Sequence, residues 1–371
     1  MKDGCGAARR PSKALITALQ FLIARQSADG AWRDFLLKPG RSDAWVTSYV
    51  GLRLLHIERT FSVEGLKRAI ATAMRFVERS RHANGGWGYN AICPPDADST
   101  AHALLFLRAA GAPPALRDYR DLSRFQLPDG AFATYRRGDA LEGWCRGHPD
   151  VTVVALRALA AILPPHHRIL RCGYARLAAY LKRREPLASY WWPSPWYLAR
   201  ELRALSREHS SAPVFELPRL GVTSDAGCFA RSLAIEFAML HDEQTNVEPQ
   251  VRALREMQIE DGGWPSEPIL RVVNPRSKRL NDRCGRRSPV VADDRRIFTS
   301  ATVAAALALA ESREQCSKTG FRGLENGRGK LYTDWRSVHL RCGARHYGRY
   351  PGSVDRAGCR RDTAKAVAPN L

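Results

Sequence analysis

Apolar residues in this chain come in blocks with helical spacing, and the blocks are of two kinds. Segments such as ALITALQFLIARQ, AIATAMRFVERSR and VRALREMQ place apolar residues every three or four positions, with polar and charged residues between. That spacing predicts amphipathic helices with one buried stripe. Segments around Thr47, Thr100, Thr152 and Thr299 are instead rich in Ala, Leu and Val and carry few charges. Such helices are buried all round. The pattern places the apolar helices in an inner layer and the amphipathic ones outside it.

A short phrase joins the two kinds. It reads Gln26-Ser-Ala-Asp29-Gly30-Ala-Trp32, then Arg81-His-Ala-Asn84-Gly85-Gly-Trp87, then Gln126-Leu-Pro-Asp129-Gly130-Ala-Phe132, and finally Gln258-Ile-Glu-Asp261-Gly262-Gly-Trp264. A worn copy lies at Arg184-Glu-Pro-Leu187-Ala188-Ser-Tyr190. A helix runs toward each Gln, and Asp/Asn-Gly ends it, because glycine accepts the left-handed backbone of a helix exit. The aromatic residue is expected against the next repeat, and Gln on backbone groups at a neighbouring helix start. After each copy comes an inner-helix opening: Asp43-Ala-Trp-Val-Thr47, Asp98-Ser-Thr100, Asp150-Val-Thr152, and Phe298-Thr299-Ser-Ala-Thr302. Asp or Ser before Thr is a helix-start signal. Repetition on this scale implies an array of helical units, closed into a ring or stacked as a solenoid.

These phrases resemble the QW repeats of squalene–hopene cyclases and of the prenyltransferase/squalene-oxidase repeat family, over roughly residues 12–310. The resemblance implies an all-α fold, the α/α toroid, a double ring of helices shared by class II terpene cyclases and protein prenyltransferase β subunits. The expected division is 1–311 for the toroid and 312–371 for a Gly/Arg-rich basic tail. That tail has no helical periodicity and reads as disordered, or as a shifted reading frame.

Within the second inner-helix opening, Cys93-Pro-Pro-Asp96-Ala-Asp98-Ser99-Thr100-Ala101 resembles the class II cyclase motif D-x-D-D-T-A. The resemblance assigns Asp98 to the acid that protonates an alkene or epoxide and starts polyene cyclisation. Asp96 matches the first Asp, and Ser99 replaces the third. An alkene is a very weak base, so the acid must be protonated and poorly solvated; clustered carboxyls in an apolar site favour that state. Asp98 reads equally well as a helix cap. A carbocation needs electron-rich faces. Trp45, Tyr89, Trp144, Tyr190, Trp191, Trp192 and Trp196 lie where turns meet inner helices and are the candidate substrate-lining residues, whereas Trp32, Trp87 and Trp264 belong to the repeat's own packing.

Other candidates are weaker. His148 beside Asp150 is either a proton partner for Asp98 or a solvated rim residue. Asp293-Asp294 is a second acid pair or a helix-start feature. Asp225 and Cys228 loosely resemble the zinc ligands of protein prenyltransferases, at a different spacing. The basic loop 276–287 suits a diphosphate or bulk solvent.

Composition narrows the picture further. The 371 residues carry a formal charge of +21, with Arg far outnumbering Lys. A polyanion partner and simple compositional drift both account for this, but no nucleic-acid-binding motif is present, so no nucleic acid is expected. The nine Cys are scattered and form no CxxC pair, which argues against a zinc ribbon or redox motif and fits a reducing, cytoplasmic setting. No metal or other cofactor is expected. No run reaches about 18 apolar residues, so membrane contact would be peripheral. One barrel alone leaves an open cavity, which a second helical domain or subunit would complete. The function expected is isoprenoid cyclisation; the alternatives are a non-catalytic toroid that binds or scaffolds, and a zinc-dependent protein-prenyltransferase-like enzyme.

Overall fold

The computed structural model describes residues 10–137, 142–183, 187–218, 220–223, 226–241, 245–275 and 288–318. These are mostly helical. In chain order they are α1 (Lys13–Ala24), β1 (Asp34–Leu37), β2 (Gly40–Ser42), α2 (Ala44–Glu58), α3 (Leu66–Arg79), α4 (Ala97–Ala109), α5 (Leu116–Ser123), α6 (Pro149–Ala160), α7 (Arg168–Leu181), α8 (Pro195–Glu208), α9 (Cys228–His241), α10 (Glu248–Glu256), β3 (Pro268–Arg271), β4 (Val290–Ala292) and α11 (Ile297–Lys318).

Six helices pack in an unbroken cycle: α2 on α4, α4 on α6, α6 on α8, α8 on α9, α9 on α11, and α11 back on α2. The solenoid alternative fails on that last contact, and the packing order is that expected of an α/α toroid. Helices α1, α3, α5, α7 and α10 lie against the cycle from outside. Two features depart from expectation. Two antiparallel strand pairs, β1–β2 and β3–β4, stand in loops that lead to inner helices. Helix α11 runs through the expected boundary at 311/312 as far as Lys318.

Each recurring phrase builds a similar turn. Gln26, Gln126 and Gln258 donate from Nε2 to the carbonyls of Gly30, Gly130 and Gly262 within their own turns. The same Nε2 atoms reach Ala69, Ile169 and Ala14 at the starts of the next outer helices. Arg81 replaces Gln in the second copy and reaches the same place by pairing with Asp118 and Asp121 of α5. Each outer helix stops before its Gln, so the Asp-Gly glycine shapes the turn rather than the helix end. Gly30, Gly85, Gly130 and Gly262 have φ between 87° and 97°.

The aromatic residue ties its turn to two helices. The indole N–H groups of Trp32, Trp87 and Trp264 turn back to Leu22, Val77 and Leu254 of their own outer helices, each at 2.7 Å. Their backbone N–H groups donate to Thr47, Thr100 and Ser300 on the inner helices. Phe132 uses Thr152 in the same way. The Thr positions are thus bolts between turn and inner helix.

A carboxylate holds the seam of the ring. Asp34, fully buried in β1, accepts backbone N–H bonds from Phe35, Arg295, Ile297 and Phe298, fastening the start of α11 to the first repeat.

Deeper along the inner helices lies a buried ionic chain. Arg53 of α2 pairs with Glu236 of α9, Glu236 with Arg200 of α8 at 2.7 Å, and Arg200 with Glu201 at 2.8 Å. Glu201 pairs in turn with Arg157 of α6, and Arg157 with Glu208. Three cations match three anions, which offsets much of the desolvation cost.

Two outcomes follow from this packing. A Cβ at Gly130 would sit 2.3 Å from the Cys172 carbonyl oxygen of α7, at a φ of +90°. Gly130→Ala is therefore expected to destabilise by about 2 kcal/mol or more, read as a lowered midpoint in thermal or urea unfolding. Glu201→Gln strands Arg157 and Arg200 with less than their full counter-charge; about 3–5 kcal/mol should be lost in the same measurement.

Candidate active site

The second residue of several inner helices points toward the ring interior at one rim. Trp45 of α2, Phe229 of α9 and Phe298 of α11 meet there. Ring centroids of Trp45 and Phe298 are 5.4 Å apart, and those of Phe229 and Phe298 5.9 Å. Trp192 stacks on Tyr197 of α8 at 4.3 Å and on Phe298 at 5.3 Å. Tyr49 stacks on Phe298 at 3.9 Å. Phe35 closes the group against Trp45. The result is a buried aromatic cluster whose π faces suit a cation.

Asp98 is the second residue of α4 and adjoins this cluster. Its side chain is 17% exposed. Burial drives its carboxyl well above the ordinary carboxylate range, and the nearby carboxylates of Asp96, Asp150 and Glu201 push it further; the Trp45 side chain opposes them. No cation is among the described groups that act on it most strongly. His102, one turn on, is nearest: Nδ1 lies 3.7 Å from Oδ1 and bonds the Asp98 carbonyl at 3.0 Å. Burial pushes His102 down to about 4, so it is neutral at pH 7. The protonated form of Asp98 is therefore favoured over that of an ordinary carboxylic acid.

The cap of α4 is Asp96, not Asp98. Asp96 accepts the backbone N–H and the hydroxyl of Ser99, both at 2.7 Å. Ser99, in the place of a third Asp, thereby anchors the neighbouring carboxyl. Burial raises Asp96 to about 6, against these hydrogen bonds.

The other sequence candidates divide. Trp45, Tyr89 and Trp192 join the central cluster, with Tyr89 6.3 Å from Trp45. Trp144, Tyr190 and Trp191 form a second group with Tyr135. Asp150 anchors that group by accepting the N–H of Tyr190 and of Trp191. Trp196 turns to Phe237 instead. His148 is neither proton partner nor solvated: it is buried, stacked 3.5 Å from Tyr190 and bonded to the Gly143 carbonyl. Asp293 accepts N–H bonds from Glu267 and Thr299, and Asp294 pairs with Arg41, so the two do not form an acid pair with each other; burial and the nearby Asp34 carboxylate raise Asp293 to about 7, against these hydrogen bonds. Cys228 is buried with Sγ 3.8 Å from Met257 Sδ, while Asp225 and the loop 276–287 lie outside the described residues. Among the described residues no three His, Cys, Asp or Glu converge as a metal site. No helix among them is long and apolar enough to cross a membrane.

Tyr49, Tyr197, Phe229 and Phe298 were absent from the sequence candidates. Their shared signal is an aromatic residue within the first two turns of an inner helix, visible once α8 and α9 are recognised as inner.

No protein-family model matches the sequence, and no curated relative does. Solved structures do. Type II terpene cyclase MstE from Scytonema, in its apo form, is 25% identical over 80% of this chain and 97% of its own, with a TM-score of 0.62. A form of the same enzyme in complex with merosterolic acid A as product matches at 25% identity over 81% and 96%, TM-score 0.63. A protein from Actinoplanes is 25% identical over 80% and 98%, TM-score 0.62. Fold, closure and these likenesses agree: the chain has a class II terpene-cyclase-like fold.

Proposed function

We propose that this protein cyclises an isoprenoid by a class II reaction in which Asp98 is the proton donor. The observation that carries the reading is the setting of Asp98: a carboxyl group beside a buried aromatic cluster, with other carboxyls, and no cation, as the charged groups that act on it most strongly among the described residues. MstE, similar over nearly its whole length, has been seen with geranylgeranyl dihydroxybenzoate as substrate and merosterolic acid A as product, which supports the same reaction class here.

The Asp98 hydroxyl gives its proton to the terminal alkene carbon, forming a C–H bond and leaving a tertiary carbocation. Internal alkenes attack in turn, each forming a C–C bond and moving the charge inward. Faces of Trp45, Trp192, Tyr49 and Phe298 stabilise the moving cation and keep water from trapping it. Loss of a proton from the last cation ends the reaction, and solvent returns a proton to Asp98.

A binding or scaffold toroid would have the Asp98 carboxylate occupied by backbone amides and a filled or wet polar cavity. The rings of Tyr49, Trp192, Tyr197 and Phe298 do fill the interior, but the Ser99 amide at the start of α4 bonds Asp96 and not Asp98. The zinc-dependent reading draws no support from Cys228, whose thiol faces Met257.

The test is incubation of wild type and Asp98→Asn with geranylgeranyl diphosphate, farnesyl diphosphate, squalene and a geranylgeranylated dihydroxybenzoate, followed by mass spectrometry of extracted products. Wild type is expected to cyclise at least one, with turnover down about 10²–10⁴-fold or more in the folded variant. Undiminished turnover by Asp98→Asn would remove the acid role. The pH dependence has a fixed sign. The active form is protonated, so rate is retained at low pH and lost as pH rises through the elevated Asp98 pKa. A rate that instead rises through that window contradicts the mechanism.

A further inference from the structure

Five indoles in this protein have their N–H groups engaged. Trp32, Trp87 and Trp264 donate to outer-helix carbonyls, Trp144 to the Val273 carbonyl and Trp191 to Thr134. Trp45 differs. Its Nε1 is buried and makes no complete hydrogen bond, although the side chain lies against Asp98. Among the tyrosines of the central cluster, Tyr49 bonds Thr302 and Tyr89 bonds the Phe35 carbonyl. Tyr197 differs in the same way: it is fully buried, its hydroxyl has no partner, and Asp98 is the foremost charged group beside it. Buried donors are almost always bonded, so two idle ones beside the same carboxyl call for a cause.

The chemistry supplies one. Before reaction Asp98 is a neutral acid and a weak acceptor. Once its proton is on the substrate, it is a carboxylate with no cation among its strongest described neighbours. We propose that the Trp45 indole N–H and the Tyr197 phenol O–H receive the Asp98 carboxylate as it forms, so that both donors wait unbonded for an acceptor the reaction creates. This rests on Asp98 as proton donor and adds the groups that hold its conjugate base. Donors placed where charge develops stabilise the transition state more than the ground state. Trp45 then has two roles on separate atoms: its ring face meets the carbocation, and its N–H edge meets the carboxylate.

The groups around Asp98 fit this assignment. From its own helix come Asp96, already occupied by Ser99, and neutral His102. Helix α2 brings Trp45 and α6 brings Asp150, an acceptor only, whose Oδ2 takes the Tyr190 and Trp191 amides while its Oδ1 has no partner. Helix α8 brings Tyr197 and Glu201, the latter held ionised by Arg157 and Arg200. Of these side chains, Trp45 and Tyr197 are the idle donors.

The test is a titration of the Asp98 carboxyl by ¹³C NMR in protein labelled at aspartate side chains, with the resonance assigned by its loss in Asp98→Asn. Wild type, Trp45→Phe, Tyr197→Phe and the control Tyr174→Phe, on outer helix α7, are compared. Each substitution is conservative, and circular dichroism checks the fold. Removing a donor to the ionised form makes ionisation harder. The Asp98 midpoint should rise by about one unit in Trp45→Phe and in Tyr197→Phe and stay in place in Tyr174→Phe. Midpoints in both variants that coincide with wild type overturn the inference. On a substrate that wild type turns over, the same two variants should lower kcat roughly tenfold each and leave KM unchanged. Loss through KM alone overturns it too. If Asp98 in wild type titrates in the ordinary carboxylate range, the proton-donor reading fails; the shift between variant and wild type still decides the donors separately.

Discussion

The state of a buried carboxyl is set by how far water and cations are kept from it, and the inner helices of this protein hold two carboxyls in opposite settings. Asp98 and Glu201 show the contrast. Both are carboxyls in the interior of the same ring. Glu201 faces Arg157 and Arg200, and those charges hold it down at about 2, against burial. Asp98 faces aromatic rings and other carboxyls, and is driven the opposite way. The position of Asp98 at the start of α4 favours its ionised form through the helix dipole, but by only about 0.3–1 kcal/mol. Taking a charge from water costs several kcal/mol, so burial wins.

The ring makes that separation possible. The recurring Gln, Gly and Trp bonds fix each outer helix to the next, and the Thr or Ser bolts fix each turn to an inner helix. Inner-helix starts are thereby held in register, so residues far apart in sequence, such as Trp45, Asp98, Tyr197 and Phe298, reach one site. The Arg–Glu chain lies further along the same helices and neutralises itself. Its cations are bound within it, and none of them is among the groups that act most strongly on Asp98. Asp34, at the seam, fastens α11 to the first repeat and so completes the aromatic wall that Phe298 supplies.

Much of this was legible from the chain. The phrase repeats and the two kinds of helix follow from spacing, because turn chemistry and helical period are local, whereas the D-x-D-S-T-A segment stood out by its resemblance to a family motif. The capping choice between Asp96 and Asp98 was not legible, since both residues suit a helix start and only the backbone path separates them. Helix α8 carries Arg200, Glu201, Arg203, Arg207 and Glu208, so its composition reads as exposed. It is an inner helix because Arg200, Glu201 and Glu208 are paired across the ring, a long-range fact that no local pattern holds. Helix α9 follows α8 in the cycle with no outer helix described between them, which broke the expected alternation and hid Phe229. His148 was misjudged for a related reason: its stacking on Tyr190 spans more than forty positions in sequence.

The central claim is that an enzyme proton, drawn originally from solvent, starts the reaction and remains in the product. Turnover in deuterium oxide measures this directly, because Asp98 exchanges with the medium before each cycle. The account predicts a cyclised product one mass unit heavier than that formed in ordinary water, with a single deuterium at the carbon protonated first. Cyclised product of unchanged mass would contradict it, since ring closure would then have begun without proton transfer from Asp98.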